Sequence, residues 1–263
     1  MKRLLSSLSY QSLRDGALYR LTGIFIVAMA VFGIVIGIAS DETPCAGRLI
    51  ADAPSVLWLF QYMIIAIIVG TVSAGDFKDK DLYYEIMSGH SRVDIFLSRA
   101  IPSTVLSALL AVLLSAVPVI SNCIVFGWGD VIEVKGAVIR IALCFFPFLR
   151  LASFYTLTAF LCKNRMLVTA LGYMAMICCV FLQNVITGSQ STFLLSSFNL
   201  QKLMDYGTWS IYNLDPAGGI VMYTAYDSSI SKSMAAGTIM ISVLVSAVYL
   251  LAGYGFFCKN DLD

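Results

Sequence analysis

The sequence predicts an all-α integral membrane protein, a single transmembrane domain over residues 1–263, and three observations carry that prediction. Hydrophobic residues make up 59% of the chain and charged residues only 13%. A water-soluble chain of this size would then expose apolar surface it has no means to cover. A spanning helix needs roughly 20 largely apolar residues, and six stretches qualify: 18–39, 55–74, 101–126, 137–161, 166–187 and 234–257. Lys and Arg are also distributed unevenly between these stretches. Eleven (Lys2, Arg3, Arg14, Arg20, Lys78, Lys80, Arg92, Arg99, Lys163, Arg165 and Lys259) fall on one side of the alternating layout, and four (Arg48, Lys135, Lys202 and Lys232) on the other. By the positive-inside rule both termini and the 75–99 loop are cytoplasmic, and the chain is a multi-pass protein of the cell membrane.

Each element has its own signal. Residues 3–16 alternate small polar and apolar positions, and two readings fit them: an interfacial helix with Leu4, Leu5, Leu8 and Leu13 in one stripe, or a frayed tail. The first stretch follows Arg14 and Arg20, runs too long for a cleavable leader and lacks a small-residue cleavage site, so it is expected to span. Small residues recur four apart in helix 1 (Gly33, Gly37), helix 2 (Ala66, Gly70, Ala74) and helix 3 (Ser107, Ala111, Ser115), the spacing that lets helix backbones approach closely in lipid. The charged loop 75–99 reads as a short helix over about 79–88. Its apolar face is Leu82, Tyr83, Ile86 and Met87, and Asp79 and Asp81 lie at its positive N-terminal end. A turn at Gly89-His90 follows, Gly89 suiting the left-handed residue that ends a helix. Ser91 then N-caps helix 3, with Asp94 three residues on to complete a capping box. The outer loop 188–233 is rich in aromatics and is expected to form small helices at the membrane mouth, one over 197–206, with a turn at Asn213–Pro216.

Several functions are excluded. A formal net charge of +1 leaves no basic face for nucleic acid. The chain has no P-loop, no H-E-x-x-H, no G-x-S-x-G and no dinucleotide fingerprint, so no ATP site or catalytic machinery of its own is expected. Its one histidine, His90, has no Cys or carboxylate arranged as a triad, and the seven cysteines contain no C-x-x-C, so no metal site is expected. Cys45 and Cys123 both fall toward the outer side, where a disulfide is one option and free thiols the other. Arg150 lies near the centre of the fourth stretch, where an arginine costs roughly 2.5–3.5 kcal/mol by insertion scales. With no carboxylate at its depth, its partners are sought among Gln61, Gln183, Asn184, backbone carbonyls, water or a second subunit. These four residues are the substrate-path candidates; the alternative for Arg150 is a clamp between helices.

The loop carries a resemblance. Asp76-Phe77, the helix Leu82–Met87, Ser88-Gly89-His90-Ser91-Arg92 and Ile95 through Arg99 resemble the cytoplasmic loop of permease subunits in the type-2 ABC exporter superfamily, which includes bacterial polysaccharide, drug and lantibiotic-immunity exporters. Asp81 departs from the pattern, standing where the family often has Thr. The six-helix layout and the long loop before helix 6 are similar as well, so the resemblance spans the chain. It implies that the loop is a coupling helix seated on a separate ATPase, with Asp76, Phe77, Leu82, Glu85, Ile86, Gly89, Ser91 and Arg92 as the coupling residues. It further implies two ATPase copies that use ATP and Mg, a second permease copy or a related permease, and non-catalytic export of a peptide, lipid-like or drug-like substrate from the bilayer-embedded chain. The alternative class is a secondary transporter or channel that runs without an ATPase, and a membrane enzyme ranks third. The sequence shows neither internal repeats nor an Asp or Glu in a spanning core, which disfavours the second class.

Overall fold

A computed structural model describes residues 16–39, 43–53, 55–74, 87, 89, 91–186, 203, 207–214, 220–227 and 230–259. The protein is mostly helical. Its helices are α1 (Gly16–Ala39), α2 (Ala46–Asp52), α3 (Ser55–Ser73), α4 (Arg92–Phe126), α5 (Val134–Leu143), α6 (Phe145–Cys162), α7 (Arg165–Ile186) and α8 (Lys232–Lys259). A hairpin of β1 (Gly207–Leu214) and β2 (Ile220–Asp227) lies between α7 and α8. Among the described residues four stretches are long and apolar enough to cross a membrane: Leu18–Ala39, Arg92–Phe126, Val134–Cys162 and Lys232–Lys259. The chain therefore has the build of a helical membrane protein.

Helices α3, α4 and α6 form the centre, with α1 laid on α4, α7 on α3 and α8 on α6. The main core joins Trp58, Tyr62, Ile65 and Val69 of α3 to Ala108 and Ala111 of α4 and to Phe148, Ala152, Tyr155 and Ala159 of α6. The outward faces are apolar and exposed, as lipid contact requires: Ile24, Val27, Val31 and Val35 on α1, Leu109, Leu113 and Ile124 on α4, and Leu244, Val248 and Leu251 on α8.

The small-residue positions are where backbones meet. A Cβ on Gly33 would stand 2.8 Å from Pro118 Cβ and 2.9 Å from its Cα, and one on Gly37 would collide with Asn122 Oδ1. Gly172 of α7 has room for no Cβ against Ala66, and Gly70 faces the backbone oxygen of Arg165. Ser107, Ala111 and Ser115 are all buried in α4.

Chain direction defines two ends. The C-terminus of α3 lies beside the start of α7, and Phe257 near the end of α8 packs on Phe96 and Phe160. Ser73, Arg92, Cys162, Arg165 and Lys259 thus share one end, the loop end. The opposite end is capped by α2 and the 127–133 segment. Gly127 O and Trp128 O accept from the Ala46 and Gly47 amides at 3.0 Å each, giving α2 the N-terminal partners that Cys45 does not supply as a side chain.

The structure corrects three expectations. The fourth stretch is two helices that meet at Cys144, because Pro147 has no N–H to offer the carbonyl of Leu143. The outer loop contains a hairpin where small helices were expected, so the chain is not purely α. Its strands pair antiparallel from Gly207↔Asp227 to Leu214↔Ile220. The sequences GTWSIYNL and IVMYTAYD are dense in β-branched and aromatic residues, and the intervening DPAGG has the composition of a turn. Asn213 and Leu214 belong to β1, and Asp215 and Pro216 lie outside the described residues, as does the expected helix over 197–206 apart from Leu203. Cys45 and Cys123 are both free thiols. The expected interfacial helix over 3–16 lies outside the described residues except for Gly16, which begins α1.

The glycine contacts predict opposite outcomes at two positions of one helix. Gly33→Ala forces α1 off the Pro118 backbone and should cost about 1–3 kcal/mol, the usual range for overpacking. Gly23 has nothing within 4 Å of its would-be Cβ, so Gly23→Ala should be neutral or stabilise by up to about 1 kcal/mol through helix propensity. Thermal unfolding of the purified protein in detergent checks both, and equal effects would contradict the packing.

Candidate functional site

Two regions hold the residues on which function was expected to rest: the loop end and the polar positions inside the bundle.

At the loop end Gly89 has φ 88°, the left-handed conformation that stops one element before the next. Ser91 follows in extended conformation, and its hydroxyl accepts from the Asp94 amide at 3.1 Å, so the N-cap read from the sequence is in place. Arg92 is exposed, and its Nη1 donates to the carbonyl of Cys258 at 2.9 Å, across to the last turn of α8. That contact was not legible in the sequence, where 166 residues separate the partners. Of the other coupling candidates, Asp76, Phe77, Leu82, Glu85 and Ile86 lie outside the described residues, and Met87 is exposed.

Below the cap, Phe96 of α4 sits against Phe160 of α6 with ring centroids 4.7 Å apart, and against Tyr254 and Phe257 of α8 at 5.7 and 6.0 Å. Phe160 and Phe257 close the triangle at 5.5 Å. With Ile95 and Ala100 these rings form a core cluster of their own, separate from the main one. Sequence reading placed Phe96 at the entry to helix 3 without a role; its partners come from α6 and α8, and no local pattern announces them.

Inside the bundle, Gln61 is fully buried on α3, and neither its amide oxygen nor its nitrogen has a hydrogen-bond partner among the described residues. One turn earlier Trp58 Nε1 is in the same condition. An unmade bond at a buried polar atom costs about 1–3 kcal/mol. Three such atoms lie on adjacent turns of α3. Arg150 is half-buried on α6. Gln61 precedes Ser73 by as many residues as Arg150 precedes Cys162, and both helix ends lie at the loop end. The two side chains therefore leave their helices at a similar depth, about 18 Å from that end at 1.5 Å per residue. Gln183 and Asn184 fall late on α7, and their side chains lie outside the described residues.

At the opposite end a third arrangement was missed. Arg140, buried on α5, donates from Nη1 to the backbone oxygen of Leu203 at 2.8 Å, and Leu203 is itself buried in the main core. Tyr226 of β2 donates to Asp52 of α2 at 2.6 Å, and Arg48 lies 3.7 Å from the same carboxylate. The outer loop is thus pinned to the bundle at two points. The position of Arg140 near a helix edge was its only sequence signal.

Charge divides between the ends. Among the described residues the loop end holds Arg20, Arg92, Arg99, Lys163, Arg165 and Lys259 with the single acid Asp94, whereas the capped end holds Asp52, Asp130 and Glu133 beside Arg48, Lys135, Arg140 and Lys232. Among the described residues no cluster of three or more His, Cys, Asp or Glu side chains stands ready to hold a metal. A scan against protein-family models finds no match to this chain, and a search of curated proteins finds no relative of it.

Gln61→Leu tests the buried amide directly. Removing two unpartnered polar atoms should raise stability by about 1–3 kcal/mol, read as a higher thermal midpoint in detergent. A lower midpoint would mean that the amide is satisfied in the folded protein.

Proposed function

We propose that this chain is the permease subunit of an ATP-driven exporter of the type-2 ABC class, with all six apolar stretches crossing the cell membrane and both termini in the cytoplasm. The observation that carries the reading is the built boundary at the end of the 75–90 loop. A left-handed glycine and a capping serine join the loop to the start of α4, the longest helix. Helix α4 has 35 residues, about 52 Å at 1.5 Å each, against a hydrocarbon core of about 30 Å. A helix of that length extends past the apolar layer, and exposed Arg92 and Val93 at its start are open to a water-soluble partner. The excess of Lys and Arg at the same end supports a cytoplasmic placement.

In this reading two copies of the chain, or one copy and a related permease, assemble with two ATPase subunits. The loop, with Asp76, Phe77, Leu82, Glu85 and Ile86 as its coupling residues, sits in a cleft of the ATPase. ATP and Mg are bound there and not by this chain. Closure of the ATPase pair moves the loop, and the bundle exchanges between two states of different substrate affinity. Gln61 and Trp58, with Arg150 at similar depth, line the route of a peptide, lipid-like or drug-like substrate. Gln183 and Asn184 are assigned to the same route.

Affinity purification with the protein's neighbouring gene products tests the proposal. The wild-type chain should recover a soluble protein with Walker motifs, and a variant with residues 79–89 replaced by a Gly-Ser linker should lose it while still inserting. Equal recovery would sink the docking role, and no recovery from the wild type would favour transport without an ATPase. Orientation has its own check. Ser228→Cys in a background without the native cysteines should react with an impermeant maleimide in intact cells, and labelling only after lysis would reverse the topology.

A further inference from the structure

Arg92 and Phe96 occupy the first turns of α4, and neither points where a coupling residue would be expected to point. The guanidinium of Arg92 is spent on a carbonyl of α8, one of the four that a helix C-terminus leaves without an intrahelical donor. An arginine there also complements the negative end of the helix dipole. Four residues on, Phe96 is 2% exposed and touches rings of both α6 and α8. Gly253 of α8 closes the gap, since a Cβ there would lie 3.5 Å from the Phe96 ring and 3.6 Å from the Leu157 backbone. The start of α4 is thus joined to the last turn of α8 by a hydrogen bond and to α6 and α8 by a packed aromatic cluster. Helix α4 is also packed on α3, through a second cluster that joins Ile64, Ile68 and Val72 of α3 to Leu106, Leu110 and Leu114 of α4.

We infer that the loop ends of α4, α6 and α8 form one mechanical unit. Arg92 is the positioning residue that makes the C-terminus of α8 follow the 75–90 loop. A displacement delivered to the loop then reaches α4, α6 and α8 at once. The inference rests on the exporter reading for the source of the displacement. The link between Arg92 and α8 is a property of the chain itself.

Cys258 supplies the carbonyl, and its half-exposed thiol reports on the clamp. The test uses a full-length chain in which Cys258 is the one remaining cysteine, in membranes, with its co-purified ATPase. Maleimide labelling is timed with and without MgATP. Arg92→Ala should raise the basal rate about fivefold, the factor for losing about 1 kcal/mol of local stability with one hydrogen bond. Arg92→Lys, which keeps a donor without the planar fork, should fall between. MgATP should change the rate in the wild type and leave it unchanged in Arg92→Ala and in Phe96→Leu, with the ATPase still bound to both. The inference is overturned if Arg92→Ala labels at the wild-type rate. It is overturned equally if the nucleotide response is absent in the wild type, or is of equal size in wild type and variants. If the wild type recovers no ATPase, the exporter reading falls and the coupling role with it, whereas a raised rate in Arg92→Ala would still establish the α4–α8 link.

Discussion

Everything in this fold depends on how closely α4 approaches its neighbours. Between helices in lipid there is no water to expel, so association rests on van der Waals contact and hydrogen bonds, and both require that backbones come near. The buried stripe of α4 meets that requirement with Ser98, Ala100, Ser103, Thr104, Ser107, Ala108, Ala111 and Ser115. Its hydroxyls do not reach across to other helices. Ser98 donates to Ile95, Ser103 and Thr104 to Ala100, Ser107 to Ser103, and Ser115 to Ala111, all at 2.6–3.1 Å. Each hydroxyl is satisfied by its own helix and acts toward the neighbours as a small residue. One long helix can therefore serve as the shared wall for α1, α3 and α6 at close backbone distance, and beyond this stripe Ser121 donates to the Ala30 carbonyl of α1 at 3.3 Å.

The two ends of the bundle restrict that freedom in different ways. At the loop end the fastening described is apolar and ring-to-ring, around Phe96, Phe160, Tyr254 and Phe257, with the Arg92-to-carbonyl bond at the rim. At the capped end it is a set of polar links between segments distant in sequence: Ala46 and Gly47 to the backbone of Gly127 and Trp128, Arg140 to Leu203, Tyr226 to Asp52. Aromatic packing resists separation but tolerates small reorientations among near-equivalent geometries. Hydrogen bonds to backbone carbonyls are specific in direction and are lost together when a loop lifts. A bundle that transmits motion at one end and seals or opens at the other needs that division of labour.

Most of the architecture was legible because the forces that set it are local. Apolar runs of the right length fell on helices, and glycines four apart fell on close contacts. Ser91 with Asp94 gave a true N-cap, and Gly89 a true left-handed turn, since capping chemistry spans only a few residues. The break at Cys144 was available in Pro147 and was overlooked because hydropathy stays high across it. The hairpin was overlooked for a related reason. Trp, Tyr and Ile near a membrane surface satisfy both an interfacial belt and a β-strand, and composition alone does not separate them. What the sequence could not yield was pairing across distance: Arg92 with Cys258, Arg140 with Leu203, Phe96 with α6 and α8. Residues of the candidate route were legible as polar positions in apolar runs, but that Gln61 is wholly buried with both amide atoms unpartnered among the described residues is a product of packing.

That last fact connects the packing to the proposed transport. A buried glutamine in a bilayer-embedded helix is costly twice, once on insertion and again for each bond it fails to make. Nearby Ser and Thr side chains escape that cost by turning to their own carbonyls. Gln61 and Trp58 make no such bond to their own helix. The chain therefore retains, at one depth on α3, two donors and an acceptor that its resting contacts do not use. Helix α3 is packed on both α4 and α6, so this unspent hydrogen-bonding capacity lies on a helix in direct contact with two members of the loop-end unit, and that contact links the clamp to the polar positions in the middle of the bundle.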